Sequence, residues 1–218
     1  MIARPPLAVP LLALGGFLVL LALVVGDWAP LNSFDASVSA AFREYGHRHP
    51  DVVAVLRILT DVVAPLPFLI GGLIASLALL GRGWRRAALL CAVATVVVPV
   101  LWGLLHGLVH QPRPLAGFVT ATSNGFPSGH TANGATVALV AVLLLWSRLA
   151  RTGRIVLVTL ATAFAIFIGV TRLALLAHWP ADVLGGWLLV LGVVPLAARW
   201  TGTTTVPGAA DRDGTGAS

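Results

Sequence analysis

The chain has 218 residues, of which 58% are hydrophobic and only 10% charged, and its mean hydropathy is +0.94. Soluble domains carry roughly 25% charged residues, so the composition excludes a disordered chain, a collagen-like chain and a soluble enzyme. Fourteen basic residues, all arginine, stand against eight acids for a net charge of +6.

The apolar content amounts to about 126 residues, close to the ~120 that six bilayer spans of ~20 residues need. The arginines lie in short loops between apolar runs, so they orient the chain in a membrane rather than bind nucleic acid, and no nucleic-acid partner is expected. A single cysteine, Cys91, rules out an intrachain disulfide.

Leu7–Val25 is uncharged and long enough to span. Arg4 before it resembles a signal-peptide n-region, but the apolar run exceeds a usual h-region, so it reads as an uncleaved first span. In Asn32–Tyr45, Phe34, Val38, Ala41, Phe42 and Tyr45 recur at helical spacing behind the cap candidates Asn32 and Ser33. That segment reads either as a helix on the membrane surface or as a solvated loop. Val52–Leu80 is the second span, kinked at Pro65 and Pro67. Arg57 and Asp61, four residues apart, share a helix face as an ion pair or as substrate contacts.

A basic loop over 81–86 precedes the third span, Ala87–Leu108, where Gly103 and Gly107 have the spacing that lets a second helix approach. A Pro- and Gly-rich loop follows over 109–127. The remaining spans are Ser128–Trp146, Ile155–Leu176 and Pro180–Ala198, with a basic loop at Arg148, Arg151 and Arg154. The expected fold class is all-α, an integral membrane bundle of six transmembrane helices. The expected organisation is one membrane domain over 1–200 and a small, polar, disordered tail over 201–218.

Arg4, Arg82, Arg85, Arg86, Arg148, Arg151, Arg154, Arg199 and Arg212 are nine of the fourteen arginines, and all fall on one side. The positive-inside rule makes that side, with both termini, cytoplasmic. The opposite, outward face collects most of the polar residues able to do chemistry. They are His106, His110 and Arg113 in and before the loop after span three, Ser128-Gly129-His130 opening span four, and Thr171, Arg172, His178 and Asp182 around the junction of spans five and six.

Each group has a physical use. Ser128 begins a helix, whose free N–H groups and positive end attract an anion, and Gly129 lets that anion come close. Arg113 and Arg172 carry planar forks that match phosphate oxygens. Asp182 stands four residues after His178, so its carboxylate can hold one imidazole nitrogen as N–H and leave the other to attack. His130 is a second imidazole, available as a proton donor. Together they describe phosphoryl transfer.

The segments His106-x6-Arg113-Pro114, Pro127-Ser128-Gly129-His130 and Thr171-Arg172-x5-His178-x3-Asp182 resemble the three signatures of the type 2 phosphatidic acid phosphatase superfamily, K-x6-R-P, P-S-G-H and S-R-x5-H-x3-D. The resemblance covers 106–182 by motif and nearly the whole chain by its six-span layout. It implies His178 as nucleophile forming a phosphohistidine, Asp182 as its orienter, and His130 as the acid that protonates the leaving oxygen and later helps water attack. It implies phosphate binding by Arg113, Arg172, Ser128 and Gly129, with no metal and no cofactor. The expected partners are a lipid phosphate substrate and the bilayer of the cytoplasmic membrane, with the site facing outward.

Two positions depart from the pattern. Thr171 for Ser keeps a hydroxyl. His106 for Lys replaces a constant cation by an imidazole with a reference pKa near 6.5. His106 is expected to bind phosphate as a cation when substrate is present, in a weaker or more acid-favouring enzyme, with His110 one turn on as a possible substitute.

The resemblance suggests undecaprenyl diphosphate, phosphatidate or phosphatidylglycerophosphate as substrate, and compactness with an outward site favours the polyprenyl diphosphate. The alternatives are a lipid phosphotransferase and a non-catalytic anionic-lipid binding protein or transporter. Trp102, Phe118, Phe126 and Trp179 read as an aromatic belt or as the lining of a lipid entrance. Oligomeric state is not readable.

Overall fold

The computed structural model describes residues 5–120 and 123–202. Among these residues all regular structure is helical: α1 Ala8–Val25, α2 Ala29–Arg48, α3 Pro50–Thr60, α4 Pro65–Gly81, α5 Arg85–Leu108, α6 Gly129–Leu145, α7 Arg151–Ala174 and α8 Pro180–Thr201. Six helical stretches are long and apolar enough to cross a bilayer: α1, the α3–α4 stretch Pro50–Gly81, α5, α6 with the turn that extends it to Arg148, α7 and α8. The chain is thus an all-α bundle of six spans. The expected tail lies outside the described residues apart from Thr201 and Gly202, as do Arg4 and Arg212.

The second span breaks where its prolines stand. A residue before proline is pushed out of the helical region, and Ala64 is extended at φ −57° and ψ 157°. Pro65 then opens α4, the position where its missing N–H is harmless. The break turns α3 away from α5 and onto α7 and α2, whereas α4 packs along α5.

That turn explains one departure from expectation. Gly103 and Gly107 are exposed, and a Cβ at either would meet nothing within 4 Å, so among the described residues no helix approaches α5 there.

The centre of the bundle is α6 and α8. The latter packs on α1, α5 and α6, and the former also on α7. Hydrophobic burial gives no drive between helices in lipid, so small residues that permit close contact carry the association. A Cβ at Gly186 of α8 would lie 2.9 Å from the Ser128 carbonyl oxygen, at the N-terminus of α6. Leu90, Ala94 and Val98 of α5, Ala132, Ala135, Val140 and Leu143 of α6, and Val190, Val194 and Ala198 of α8 form the main core cluster. Leu73 and Leu77 of α4 and Ile155 and Leu160 of α7 are exposed, as lipid-facing side chains must be.

Segment 32–45 is part of a longer helix, α2, so the helical alternative holds and the loop does not, while the expected cap is corrected. Its N-cap is Trp28 with Pro30 in the first turn, not Asn32 or Ser33, and the Asn32 amide instead donates to Asp27 at 2.6 Å. Its apolar residues Phe34 and Tyr45 face outward, while Asp35, Ser39 and Gly46 are buried. The inner side of α2 meets helix ends and loop backbone, which call for polar or small partners.

At the other end of the bundle, the Arg148 guanidinium lies 3.9 Å from the Trp84 ring centroid and joins the two basic loops. Arg199 there donates to the Pro5 carbonyl at 2.8 Å.

Candidate active site

Three chain segments meet in a cavity of about 520 Å³ at the helix ends opposite the basic loops. Its wall contains Arg113 and Ser123 from the loop after α5, Gly129 and His130 from α6, Arg172 from α7 and His178 from the α7–α8 turn, with Trp102 of α5 and Thr60 and Asp61 of the broken span.

The α7–α8 turn aims His178. Its Nδ1 lies 3.3 Å from Asp182 Oδ2, and the same oxygen accepts the Trp179 N–H at 2.9 Å. His178 and Asp182 are both buried, and Asp182 Oδ1 has no partner. The Nε2 of His178 lies 3.0 Å from Arg113 Nη1. A guanidinium can only donate, so Nε2 accepts and Nδ1 carries the hydrogen given to Asp182. This tautomer leaves the Nε2 lone pair toward the cavity. Burial, then the charges of Arg113 and Arg172, hold the His178 imidazole well below its ordinary pKa, so it is neutral.

Arg113 is fixed by three further bonds: Nη1 to the Ala177 carbonyl at 2.6 Å, Nε to the Ser123 carbonyl at 2.9 Å and Nη2 to Ser123 Oγ at 3.1 Å. Burial lowers its pKa somewhat and Asp182 works against that. Arg172 is buried; its Nη1 donates to Thr60 Oγ1 at 3.3 Å, and its Nε has no partner. Arg172 also lines the cavity, where its guanidinium can meet an anion. Thr171 keeps the role of a hydroxyl by bonding Thr60 Oγ1 at 3.0 Å and the Ile168 carbonyl at 2.7 Å.

Ser128 is the N-cap of α6, but its side chain makes no cap bond; its Oγ accepts the Thr131 hydroxyl at 2.9 Å. The first-turn N–H groups of α6 are therefore left without a side-chain acceptor, as an anion site requires. Ser128 itself is fully buried behind the wall. Gly129 is required by its neighbour: a Cβ would come 2.6 Å from the Trp102 indole, which is anchored by a 3.0 Å bond to the Pro127 carbonyl. His130 forms no hydrogen bond among the described residues and faces the cavity.

His106 is buried behind Trp102 and Ser123. Its ring packs 4.9 Å from Trp102, its Nε2 meets Ser123 Oγ at 3.2 Å, and Nδ1 has no partner. It reaches Arg113 only through Ser123. His110 is exposed and outside the cavity wall.

The structure thus brings Arg113, Gly129, His130, Arg172 and His178 to the wall and places Asp182, Ser128 and His106 behind it. Arg57 and Asp61 form no ion pair; Arg57 donates to the Phe118 carbonyl, and both residues line the cavity. Of the aromatics, Trp102 and Phe118 line the cavity, Phe126 is fully buried against Phe17, and Trp179 Nε1 donates to the Pro112 carbonyl at 2.6 Å.

Ser123 and Thr60, which hold the two arginines, were missed by sequence reasoning. Thr60 had one available signal, a hydroxyl ending an apolar run. Ser123 sits in an aperiodic loop and had none.

Residues 87–205 match the family model of the PAP2 superfamily. Phosphatidylglycerophosphatase B of Escherichia coli K12 is 38% identical over 96 residues, 42% of this chain, and that of Shigella flexneri matches equally. The aligned part is 36% of those relatives' length, so the chain spans about a third of them. The crystal structure of a transmembrane PAP2 type phosphatidylglycerolphosphate phosphatase from Bacillus subtilis superposes with a TM-score of 0.75 at 25% identity, covering 88% of this chain and 96% of that one. The family match takes in more than half of the chain, including the α6 N-terminus, both arginines and the His178–Asp182 pair, and the chain belongs to the PAP2 superfamily.

Proposed function

We propose that this chain is a membrane phosphatase that hydrolyses a lipid phosphate through a phosphohistidine on His178. One observation carries the reading: a neutral imidazole is held by Asp182 with its unprotonated nitrogen, which accepts from Arg113, at a cavity where two guanidiniums and a helix N-terminus converge.

In the first step the Arg113 fork turns from His178 Nε2 to the phosphate oxygens. Nε2 attacks phosphorus and the bond to the lipid oxygen breaks. His130 gives its proton to that leaving oxygen. The Asp182 carboxylate stabilises the charge that develops on the Nδ1–H side of the ring. Arg113, Arg172 and the α6 N–H groups hold the equatorial oxygens, where charge spreads in phosphoryl transfer. In the second step water attacks the phosphohistidine, His130 takes its proton, the N–P bond breaks and inorganic phosphate leaves.

The relatives' names make phosphatidylglycerophosphate the first substrate to test, ahead of phosphatidate and the polyprenyl diphosphate that compactness favoured. We place the membrane domain over 1–200, the basic loops and both termini in the cytoplasm, and the cavity at the outer leaflet of the cytoplasmic membrane.

The test is phosphate release by purified protein in detergent over a panel of lipid monophosphates and diphosphates, beside His178→Ala. Loss of release in His178→Ala, with an acid-labile phosphorylated protein in the wild type only, supports the reading. Equal release from both overturns it and leaves lipid binding or transport. Transfer to an added alcohol in place of release would make the enzyme a phosphotransferase.

A further inference from the structure

We propose that Asp35, on the surface helix α2, is a positioning residue for this reaction: it caps the first turn of α8 from outside and so sets the backbone that carries His178 and Asp182. The proposal rests on the phosphatase reading above.

An α-helix leaves its first N–H groups without an internal acceptor. The Trp179 N–H goes to Asp182 Oδ2 at 2.9 Å and the Val183 N–H to the Trp179 carbonyl at 3.2 Å. Pro180 has no N–H. The N-cap residue, Trp179, offers no side-chain oxygen. The Ala181 N–H, in the first turn, donates to Asp35 Oδ1 at 3.1 Å, across 146 residues of sequence. Asp35 is 3% exposed and Ala181 2%, so water does not substitute for the bond.

The carboxylate is held there at an electrostatic cost. Burial raises its pKa to about 6, the Ala181 bond opposes that, and the nearby Asp182 adds to it. A buried acid beside a second buried acid is a poor choice for stability alone. Its geometry suits the site, because Ala181 lies three residues after His178 and one before Asp182. The carbonyl of Asp182 in turn accepts the Ser128 N–H at 2.9 Å, and the Ala177 carbonyl accepts Arg113. Asp35 therefore fixes from the α2 side a turn that α6 and Arg113 fix from the other. Without it the turn keeps only its bonds to Ser128 and Arg113, and the His178–Asp182 unit can shift on the side that faces α2. Small displacements of that kind reduce turnover more than binding.

The experiment measures kcat and KM for phosphate release from phosphatidylglycerophosphate in detergent micelles, with thermal unfolding in the same detergent. The variants are Asp35→Ala, Asp35→Asn, Asp35→Glu and His178→Ala. Asp35→Ala should lower kcat about tenfold with KM within twofold. Asp35→Asn, which keeps an acceptor oxygen, should recover most of that loss. The proposal is overturned by wild-type kcat in Asp35→Ala, by an effect confined to KM, or by Asp35→Asn being no better than Asp35→Ala.

If Asp35→Ala does not fold, Asp35→Glu decides, since it keeps the charge and moves the acceptor: reduced kcat at constant KM supports the cap, and wild-type kcat removes it. Full activity in His178→Ala would instead defeat the phosphohistidine reading. An inactive His178→Ala beside a wild-type Asp35→Ala would defeat only the cap.

Discussion

Asp182→Asn separates orientation from charge at the nucleophile, because the His178 Nδ1–H and the Trp179 N–H both approach Oδ2 while Oδ1 has no partner. An asparagine with its carbonyl at the Oδ2 position keeps both bonds and puts its NH2 where no acceptor was lost. The tautomer with a free Nε2 lone pair therefore survives, and what disappears is the negative charge facing the imidazolium-like ring of the phosphohistidine. A hydrogen bond to a charged group contributes ~1.5–3 kcal/mol against ~0.5–1.5 for a neutral one, and the difference of about 1–1.5 kcal/mol is a kcat loss of roughly 5- to 13-fold. Asp182→Ala loses the charge, the tautomer lock and the Trp179 acceptor together, so its loss should approach the ~10⁴-fold seen when a catalytic imidazole is left in the wrong tautomer. The assay is steady-state phosphate release with single-turnover formation of the phosphorylated protein, and thermal unfolding to confirm the fold. Asp182→Asn within threefold of wild type, or as poor as Asp182→Ala, would refute the shared-oxygen argument.

Other outcomes follow from the same geometry. His106→Lys should keep its activity to higher pH than wild type, because a lysine stays charged far above the imidazole reference near 6.5; identical pH–rate profiles would remove His106 from the charge balance. Lowered pKa at His178 favours the neutral, nucleophilic form, so its protonation should not limit kcat/KM as pH falls through 6.5, where an ordinary imidazole would titrate; a limb with midpoint near 6.5 that vanishes only on replacing His178 would contradict this. Thr60→Val removes the acceptor of Arg172 Nη1 and should raise KM about three- to tenfold with little change in kcat, read from substrate-saturation curves. Gly129→Ala drives a methyl into the Trp102 indole; the unfolding midpoint should fall, with a cost of ~1–3 kcal/mol, together with activity.

How much of this was legible in the sequence follows from the solvent. A bilayer requires ~20 apolar residues per crossing, so six spans and their ends could be counted from composition and hydropathy. The proline pair at 65 and 67 marked the broken span through local sterics. The site residues stood at span ends, where polar groups are readable against an apolar background, and the spacing of His178 and Asp182 is a property of one helical turn.

The tertiary structure alone decided the rest, because lipid and protein interior are equally apolar and a helix's period does not say which face meets another helix. Thus Gly103 and Gly107 face outward although their spacing suggested a contact, and α2 turns its polar side inward. His106 stands behind Ser123 instead of at the cavity wall, an outcome of packing against Trp102. The partners Thr60–Arg172 and Asp35–Ala181 join positions more than 100 residues apart. Such pairs are set by which helix ends the folded bundle places side by side, and no local pattern in the chain encodes them.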